Sequence, residues 1–322
     1  METSTDNFCH LSLDEIGLKY IGENNSANSK KYIGGDKTSV GQNFTEHYDK
    51  ILCHLRLSDI KFMEIGIFNG KSIAMWADYF KNGTIYGIDI NLSIFKRYLE
   101  TLRIAGAFTD RKITFIEKGN PNNKSYYPNG DIKVIEYDTS SPEFTKIVHE
   151  ELGEFNVIVD DGNHTANYQY HNFELLFDYL KPGGIYIIED IDEPNKLFDF
   201  YKFGYIINGL AHIKNASINN IKNEYIKKHK QDYIKMNEKL IELNSHLENK
   251  LIKETNEDNL NKLNEKQISL KQKISFNESN AHMFTTESLN KQFNDIIERK
   301  KHLINLIDRI EIKSNNLIIY RK

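Results

Sequence analysis

Cysteine is scarce in this chain, with only Cys9 and Cys53 among 322 residues. Neither lies in a CxxC pair or in a Cys/His spacing typical of metal sites. The sequence also has no run that approaches the roughly 20 apolar residues of a membrane-spanning helix, and no secretory hydrophobic region follows Met1. We therefore expect a soluble protein of the reducing cytoplasm, without a membrane span.

Excess charge of one sign is also lacking, because the formal net charge is only -4. Nucleic-acid binding needs clustered, uncompensated Lys and Arg, so we expect no nucleic-acid partner. The hydrophobic content of 39% is low for a compact enzyme of this length. Part of the chain is therefore expected to lie outside the core.

Short apolar strands alternate with amphipathic helices from residue 61 onward. This alternation predicts an α/β fold with a mostly parallel sheet covered by helices on both faces. The polar, broken stretch 1–60 is predicted to be a helical lead-in packed on that core, and 109–131 is interpreted as an inserted hairpin or loop. The predicted strands carry KFMEIGIF, GTIYGIDI, IKVIEYD, FNVIVDDG and GIYIIED, and the predicted helices lie near 71–81, 93–105, 141–151 and 165–180.

Glycine and proline are absent from residue 218 to residue 322. Apolar residues follow helical spacing there in two seams separated by the polar break KETNEDN, which predicts a helical hairpin insertion at 218–302. The last residues, RIEIKSNNLIIYRK, are predicted to form an antiparallel strand pair, so that the core domain comprises 61–217 with 303–322. The seam residues are Met236, Leu240, Leu243 and Leu247, then Leu260, Leu263, Leu270 and Ile274.

The first core strand ends in EIGIFNGKS, which places Glu64, Gly66 and Gly70 at a strand-to-helix turn that we call the glycine loop. Glycines let the backbone turn sharply and approach a ligand, and the following helix offers free N–H groups. The loop lacks the GxGxxG pattern of NAD-binding folds, which disfavours NAD. Taken alone, it is also explained by an ordinary tight turn.

Acidic residues end the next two strands. Asp89 ends the second strand, where a carboxylate accepts hydrogen bonds from ribose hydroxyls in nucleotide-binding α/β folds. Asp138 ends the third, where it either approaches an adenine amino group or caps the next helix. Because open α/β sheets bind ligands at the carboxyl ends of their strands, these residues predict a nucleoside-containing ligand.

Taken together, KFMEIGIFNGKSIAMWADYF, TIYGIDI, VIVDDGNH and LKPGGIYIIEDI resemble the class I S-adenosylmethionine-dependent methyltransferases. They are most similar to the metal-dependent sugar O-methyltransferases that act on macrolide deoxysugars, and to relatives in glycan biosynthesis. The lead-in segment GDKTSVGQNFTEHYDKIL is similar to that family's DK turn and its YT…Y helix. The resemblance covers roughly 11–212 and the last strands, and it implies a Rossmann-like methyltransferase sheet.

The resemblance also implies S-adenosylmethionine as the cofactor. The glycine loop would lie against the methionine part, Asp89 would hold the ribose, and Asp138 would lie near the adenine. Ser72 stands just after the loop, where the family commonly has a small hydroxyl residue.

The stretches VIVDDGNH and IYIIEDID end strands that are neighbours in the methyltransferase sheet order. Since such strands lie about 4.8 Å apart, Asp161, Glu189 and Asp190 are within reach of one ion, and three carboxylates suit Mg²⁺ or another hard divalent cation. The resemblance assigns these three as metal ligands and His164 as the general base for a metal-bound sugar hydroxyl. In isolation, a solvated strand end followed by a turn explains the same residues, and the role of Asp160 stays open.

The expected function is metal-dependent O-methylation of a sugar hydroxyl in a glycan or a natural-product glycoside. One alternative is a catechol-type small-molecule O-methyltransferase, although its usual DN after the later strand is ED here. A second alternative is a non-catalytic scaffold on a methyltransferase fold that uses the helical insertion for self-association. A homo-oligomer through the lead-in or the insertion stays open in each case.

Overall fold

The computed structural model describes residues 11–21, 35–116, 131–191, 218–313 and 315–322. The chain divides into two compact units, Met1–Ile207 with Asn305–Lys322 and Asn208–Ile304. The predicted domain boundary at 217–218 borders 192–217, which lie outside the described residues. Within the described ranges, no helix is both long and apolar enough to cross a membrane.

A single sheet of eight strands forms the centre of the first unit. In chain order the strands are β1 (Lys61–Ile65), β2 (Thr84–Asp89), β3 (Ile113–Ile116), β4 (Ile132–Glu136), β5 (Phe155–Asp160), β6 (Leu180–Ile188), β7 (Ile307–Lys313) and β8 (Asn316–Arg321). Their order across the sheet is β3-β4-β2-β1-β5-β6-β8-β7. The pairs among β1 to β6 are parallel, whereas β8 runs antiparallel to β6 and to β7. The predicted fold class is confirmed, including the antiparallel C-terminal hairpin.

Among the described residues, six helices accompany the sheet: α1 (Leu13–Leu18), α2 (Phe44–Leu52), α3 (Lys71–Tyr79), α4 (Ser93–Ile104), α5 (Pro142–Ile147) and α6 (Ala166–Leu176). Short 3-10 turns follow α2 (Cys53–Leu55) and α6 (Phe177–Tyr179). Helix α5 is shorter than predicted, because the backbone widens into a π turn at Val148–Leu152.

The segment interpreted as an inserted hairpin or loop contributes a parallel strand to the sheet. Strand β3 pairs with β4 in parallel, with Ile113 opposite Ile132, and it forms one edge. Part of the predicted segment therefore joins the main sheet as an edge strand, and the rest of it, 117–130, lies outside the described ranges.

The lead-in packs on α3 through buried aromatic side chains. Trp76 of α3 is fully buried, with its ring centroid 4.7 Å from that of Phe62 and 6.1 Å from that of Tyr48. The Tyr20 hydroxyl donates to Asp78 at 2.5 Å, which fixes the end of α1 to the same helix. This packing holds the loop 35–43, between α1 and α2, at the carboxyl edge of the sheet.

Three helices make up most of the second unit: α7 (Ile218–Lys253), α8 (Glu257–Ser279) and α9 (Thr286–Leu306). Gln267 of α8 donates to Glu248 at 3.4 Å, and Asn277 donates to Asn237 at 3.2 Å, so α7 and α8 run antiparallel. The polar break lies at their junction, where the Asn256 side chain caps α8. A 3-10 turn, Ala281–Phe284, leads into α9, a third helix that the hairpin prediction did not include.

The predicted seam is correct on α8, and on α7 it is correct for Leu240 and Leu247, which are half-buried. Leu260, Leu263, Leu270 and Ile274 are half-buried, as expected. On α7, Met236 and Leu243 are exposed, whereas the neighbouring Asn237 and Asn244 are half-buried. Asn277 of α8 donates to Asn237, so Asn237 rather than Met236 faces α8.

Arg111 fastens α3 and the starts of the central strands to one another. Its guanidinium donates to the Asp131 carboxylate at 2.7 Å and to the Phe80 carbonyl at 3.2 Å, and it also bonds the carbonyls of Ala77 and Gly83. The side chain is 9% exposed, so solvent competes little for these partners.

Replacing this arginine tests that fastening. We expect Arg111→Met to lower the free energy of unfolding by about 2–4 kcal/mol, because several carbonyls lose their donors inside the protein. Urea denaturation of the full chain measures the change. The exposed Arg97 is the matched control, and Arg97→Met should change stability by less than about 0.5 kcal/mol. Equal effects of the two substitutions would contradict the assignment.

Candidate active site

A cavity of about 760 Å³ opens where the parallel strands end. Its wall combines the glycine loop, the ends of β2, β5 and β6, and the loop 35–43. Predicted site residues in this wall are Gly66, Ser72, Asp89, Asp138, Asp161, His164 and Asp190. Of the remaining three, Glu64 and Glu189 are fully buried carboxylates and Gly70 precedes the first residue of α3.

Both glycines of the glycine loop are required by the backbone. Gly66 and Gly70 each have φ +82°, a conformation that other residues rarely adopt. A Cβ on Gly66 would lie 2.1 Å from the carbonyl oxygen of Asp161, and one on Gly70 would lie 2.1 Å from the Phe95 ring. The loop therefore packs directly against the segment that carries Asp161.

Asp89 anchors the glycine loop from the neighbouring strand. One carboxylate oxygen accepts the backbone N–H groups of Ile67 and Phe68, each at 3.0 Å. The other accepts the N–H of Asn91 at 3.0 Å. Asp89 thus sets the shape of the loop while its side chain lines the cavity.

Glu64 and Ser72, which were predicted separately, are bonded to each other. The Ser72 hydroxyl donates to Glu64 at 2.7 Å, and the Trp76 indole N–H donates to the other oxygen at 3.3 Å. Burial raises the pKa of Glu64 to about 7. These bonds fix α3 to the end of β1.

Asp138 is not the cap of the following helix. Its carboxylate accepts the N–H and the hydroxyl of Ser140, at 2.9 and 2.7 Å. The N-cap of α5 is Ser141, whose hydroxyl accepts the Phe144 N–H at 3.2 Å. The capping alternative for Asp138 is therefore wrong, and the side chain lies in the cavity wall.

Asp161, His164 and Asp190 form a cluster in which one ligand atom from each lies within 4.8 Å of the others. His164 Nε2 is 3.2 Å from Asp161 Oδ1 and 3.9 Å from Asp190 Oδ2. The hydrogen bond with Asp161 raises the pKa of His164, and burial raises the pKa of Asp190. Such a cluster suits a divalent cation and proton transfer at the imidazole.

Lys37 is a central residue of this region that sequence reasoning did not assign to the site. The residue is 3% exposed, and its ammonium bonds Glu189 and lies 2.6 Å from Asp161 Oδ2 and 3.5 Å from Glu64 Oε1. Burial alone would raise the pKa of Asp161, but the Lys37 charge holds it below the usual value. One buried cation thus contacts carboxylates that follow or belong to three strands.

Glu189, a predicted metal ligand, is bonded to other residues in this arrangement. Lys37 bonds one oxygen, and the Tyr48 hydroxyl donates to the other at 3.0 Å. Burial raises the pKa of Glu189 well above its usual value. Its role as a ligand stays a prediction, whereas the structure brings Asp161, Asp190 and His164 together.

Loop 35–43 brings Lys37 and Gln42 to the cluster. Gln42 donates to Asp190 at 2.9 Å. The Asp14 carboxylate of α1 accepts the N–H and hydroxyl of Ser39, each at 2.7 Å, and this bond ties the loop to the lead-in. The one signal of this role in the sequence was the GDKTSVGQ segment, which resembled a family turn without assigning a function to Lys37.

Asp160, whose role was open, holds the loop after β5 against α6. The buried carboxylate accepts the Asn172 amide at 3.0 Å and the Gly162 N–H at 3.3 Å. Burial raises the pKa of Asp160 to about 7. This residue therefore fixes the backbone between Asp161 and His164 from within the protein.

Comparisons with known proteins agree with this geometry. The family described as Methyltransferase domain matches residues 63–191. Mycinamicin VI 2''-O-methyltransferase of Micromonospora griseorubida is 28% identical over 155 residues, which are 46% of this chain and 31% of the relative. L-olivosyl-oleandolide 3-O-methyltransferase of Streptomyces antibioticus is 31% identical over 154 residues, or 46% of this chain and 32% of the relative.

The chain spans about a third of the length of these curated relatives, at 31% and 32%. Among solved structures, a methyltransferase of the mycinamycin biosynthetic pathway, in complex with Mg and SAH, matches with a TM-score of 0.46 and 18% identity. That match covers 97% of this chain and 55% of the other. The recognition from the sequence motifs is confirmed to this extent: residues 63–191 match a methyltransferase domain, and the chain is similar to O-methyltransferases named for mycinamicin VI and L-olivosyl-oleandolide.

Proposed function

We propose that this protein transfers a methyl group from S-adenosylmethionine to a hydroxyl of a sugar, with a divalent cation at the acidic cluster. The observation that carries the proposal is that Asp161, His164 and Asp190 lie in the wall of the same cavity as the glycine loop and Asp89. A methyl donor and an ion-bound acceptor would therefore meet in one space.

The cavity fits a cofactor of this kind. Its volume of about 760 Å³ is typical of sites for small molecules and cofactors. Gly66, Ser72, Asp89 and Asp138 would contact the cofactor from the wall. Glu64 and Gly70 would act through the shape of the loop, because their own atoms are used in packing and in bonds to α3.

The donor set fits a hard divalent ion. Asp161 and Asp190 offer carboxylate oxygens beside the cavity, and oxygen ligands are those that Mg²⁺ prefers. Glu189 is the predicted third ligand. An ion bound here supplies Lewis acidity that lowers the pKa of an acceptor hydroxyl.

His164 would take the proton from the acceptor. Its side chain is 42% exposed and lines the cavity, so an acceptor can reach the imidazole. The hydrogen bond between His164 Nε2 and Asp161 Oδ1, at 3.2 Å, orients the imidazole ring. Asp160 keeps the loop in place while the proton moves.

The acceptor class comes from the relatives, which are named for methylation of mycinamicin VI, of L-olivosyl-oleandolide and of demethylmacrocin. From these names we propose only that the acceptor is a sugar hydroxyl, in a glycan or a glycoside. We also propose that the protein is located in the cytoplasm.

Calorimetric titration with S-adenosylmethionine and with its demethylated product tests the cofactor assignment. We expect one site on the full chain, and at least about tenfold weaker binding in Asp89→Ala, because the glycine loop loses its two hydrogen bonds to that carboxylate. The exposed Glu143 of α5 provides the control, and Glu143→Ala should bind as the unaltered protein does. Absence of binding heat for both compounds would refute the methyltransferase proposal.

Substitution of the proposed base tests the chemistry. We expect His164→Ala to lower kcat by at least about 100-fold, the usual contribution of a general base, with cofactor affinity within about twofold of the original. The assay is release of the demethylated cofactor with a panel of methyl glycosides of hexoses and 6-deoxyhexoses. His171 is exposed on the neighbouring helix, and His171→Ala should keep full turnover. Full turnover in His164→Ala would remove this residue as base.

Metal binding is tested with Mn²⁺, followed by electron paramagnetic resonance of the free ion. We expect Asp190→Asn to weaken Mn²⁺ binding by at least about tenfold, because the cluster loses a charged oxygen ligand. The exposed Asp59 gives a charge-matched control, Asp59→Asn, with unchanged affinity. Turnover that survives excess chelator would exclude the metal from the reaction.

A further inference from the structure

The Lys37 ammonium lies between Glu64 of the glycine loop and the cluster of Asp161, His164 and Asp190. We propose that Lys37 is a positioning residue that occupies Glu189 and one oxygen of Asp161, and thereby weakens the hold of the cluster on its divalent ion. The inference deepens the proposed function and rests on it for the presence of that ion.

The burial of Lys37 shows that it is built into the site. An ammonium group removed from water is costly unless carboxylates and hydrogen bonds compensate it. Here the side chain is 4% exposed, and its partners Glu64 and Glu189 are 0% and 1% exposed. This pairing is therefore different in kind from a surface salt bridge, which contributes little.

The two oxygens of Asp161 have separate partners. Oδ2 lies 2.6 Å from Lys37 Nζ, whereas Oδ1 lies 3.2 Å from His164 Nε2. Both oxygens of Glu189 also accept a bond, from Lys37 and from Tyr48. Lys37 thus bonds Glu189 and Oδ2 of Asp161, whereas Oδ1 of Asp161 and the Asp190 carboxylate face His164.

The backbone of loop 35–43 fixes the position of the ammonium. Thr45 N–H donates to the Lys37 carbonyl at 3.0 Å, which joins the residue to the first turn of α2. The Thr45 hydroxyl donates to Asp14 at 2.6 Å, and the same carboxylate accepts Ser39. A residue fixed in this way is not free to leave when a cation arrives.

A fixed cation beside a metal site lowers the affinity of the site for a second cation. Removal of the charge should therefore strengthen metal binding, provided that the fold is kept. Loss of a residue that only supports the fold would have the opposite effect, because disordered ligands bind ions more weakly.

The test compares Lys37→Met with the unaltered full-length protein, with Mn²⁺ as the probe and resonance of the free ion as the readout. We expect at least about tenfold tighter Mn²⁺ binding. Lys50→Met is the matched control, since it removes an exposed positive charge of α2, and its Mn²⁺ affinity should stay within about threefold. Equal or weaker Mn²⁺ binding in a folded Lys37→Met protein, judged by circular dichroism, would overturn the proposal.

A second pair keeps the test decisive if Lys37→Met does not fold. Glu189→Gln is compared with the double variant Lys37→Met/Glu189→Gln, in which one positive and one negative charge are removed together. We expect the double variant to bind Mn²⁺ at least about fivefold more tightly than Glu189→Gln, and equal affinities would overturn the proposal.

These metal titrations separate the inference from the proposed function. Failure of the proposed function appears as absent cofactor binding or absent turnover, neither of which enters the comparison. Binding of Mn²⁺ by Lys37→Met alone would support the role of Lys37 and reject a metal in the unaltered protein. Absence of Mn²⁺ binding in every variant would reject both.

Discussion

Negative charge concentrated at one edge of a sheet is the constraint on which this site depends. Glu64, Asp161, Glu189 and Asp190 all converge there, and carboxylates so close together raise one another's pKa unless cations compensate them. Lys37 compensates the buried side of the group, as its contacts with three carboxylates show. The half-buried side, with Asp190, opens to the cavity.

A chain of buried hydrogen bonds connects this charge balance to distant parts of the sequence. The Asn316 amide donates to the Tyr48 hydroxyl at 2.7 Å, and that hydroxyl donates to Glu189 at 3.0 Å. Tyr48 belongs to the lead-in and Asn316 begins β8. Both ends of the described chain therefore support one carboxylate, so the lead-in is part of the site as much as of the fold.

The fold was largely predictable because its strands are short and apolar, and because glycine and acidic residues follow them. The same glycine and acidic residues indicated the carboxyl edge of the sheet, since residues that end parallel strands all lie at that edge. Asp89 and Asp161 were found in this way. The sheet position of β3 was not predicted, because strand pairing depends on the whole sheet, and two of the four α7 seam positions were one residue out, since Asn237 and Asn244 are half-buried there.

Residues delivered from outside the strands escaped prediction. Lys37 and Gln42 reach the cluster only because Asp14 and Trp76 place the loop that carries them, and no spacing in the sequence records that placement. Tyr48 lies in the segment that resembles the family's YT…Y helix, with no role assigned to it, yet its hydroxyl is bonded at both sides. Local patterns show which residues end a strand, but tertiary packing determines which side chains meet them.

The position of β8 has a consequence for the order in which the protein folds. This strand lies between β6 and β7 although it follows both in the chain, with the helical insertion synthesised before it. During synthesis β6 therefore lacks its antiparallel neighbour until β8 has left the ribosome. Until then Asn316 cannot donate to the Tyr48 hydroxyl that bonds Glu189. Such long-range closure slows folding, and the hydrogen bond from Asn316 to Tyr48 can form only after the helical insertion has been synthesised.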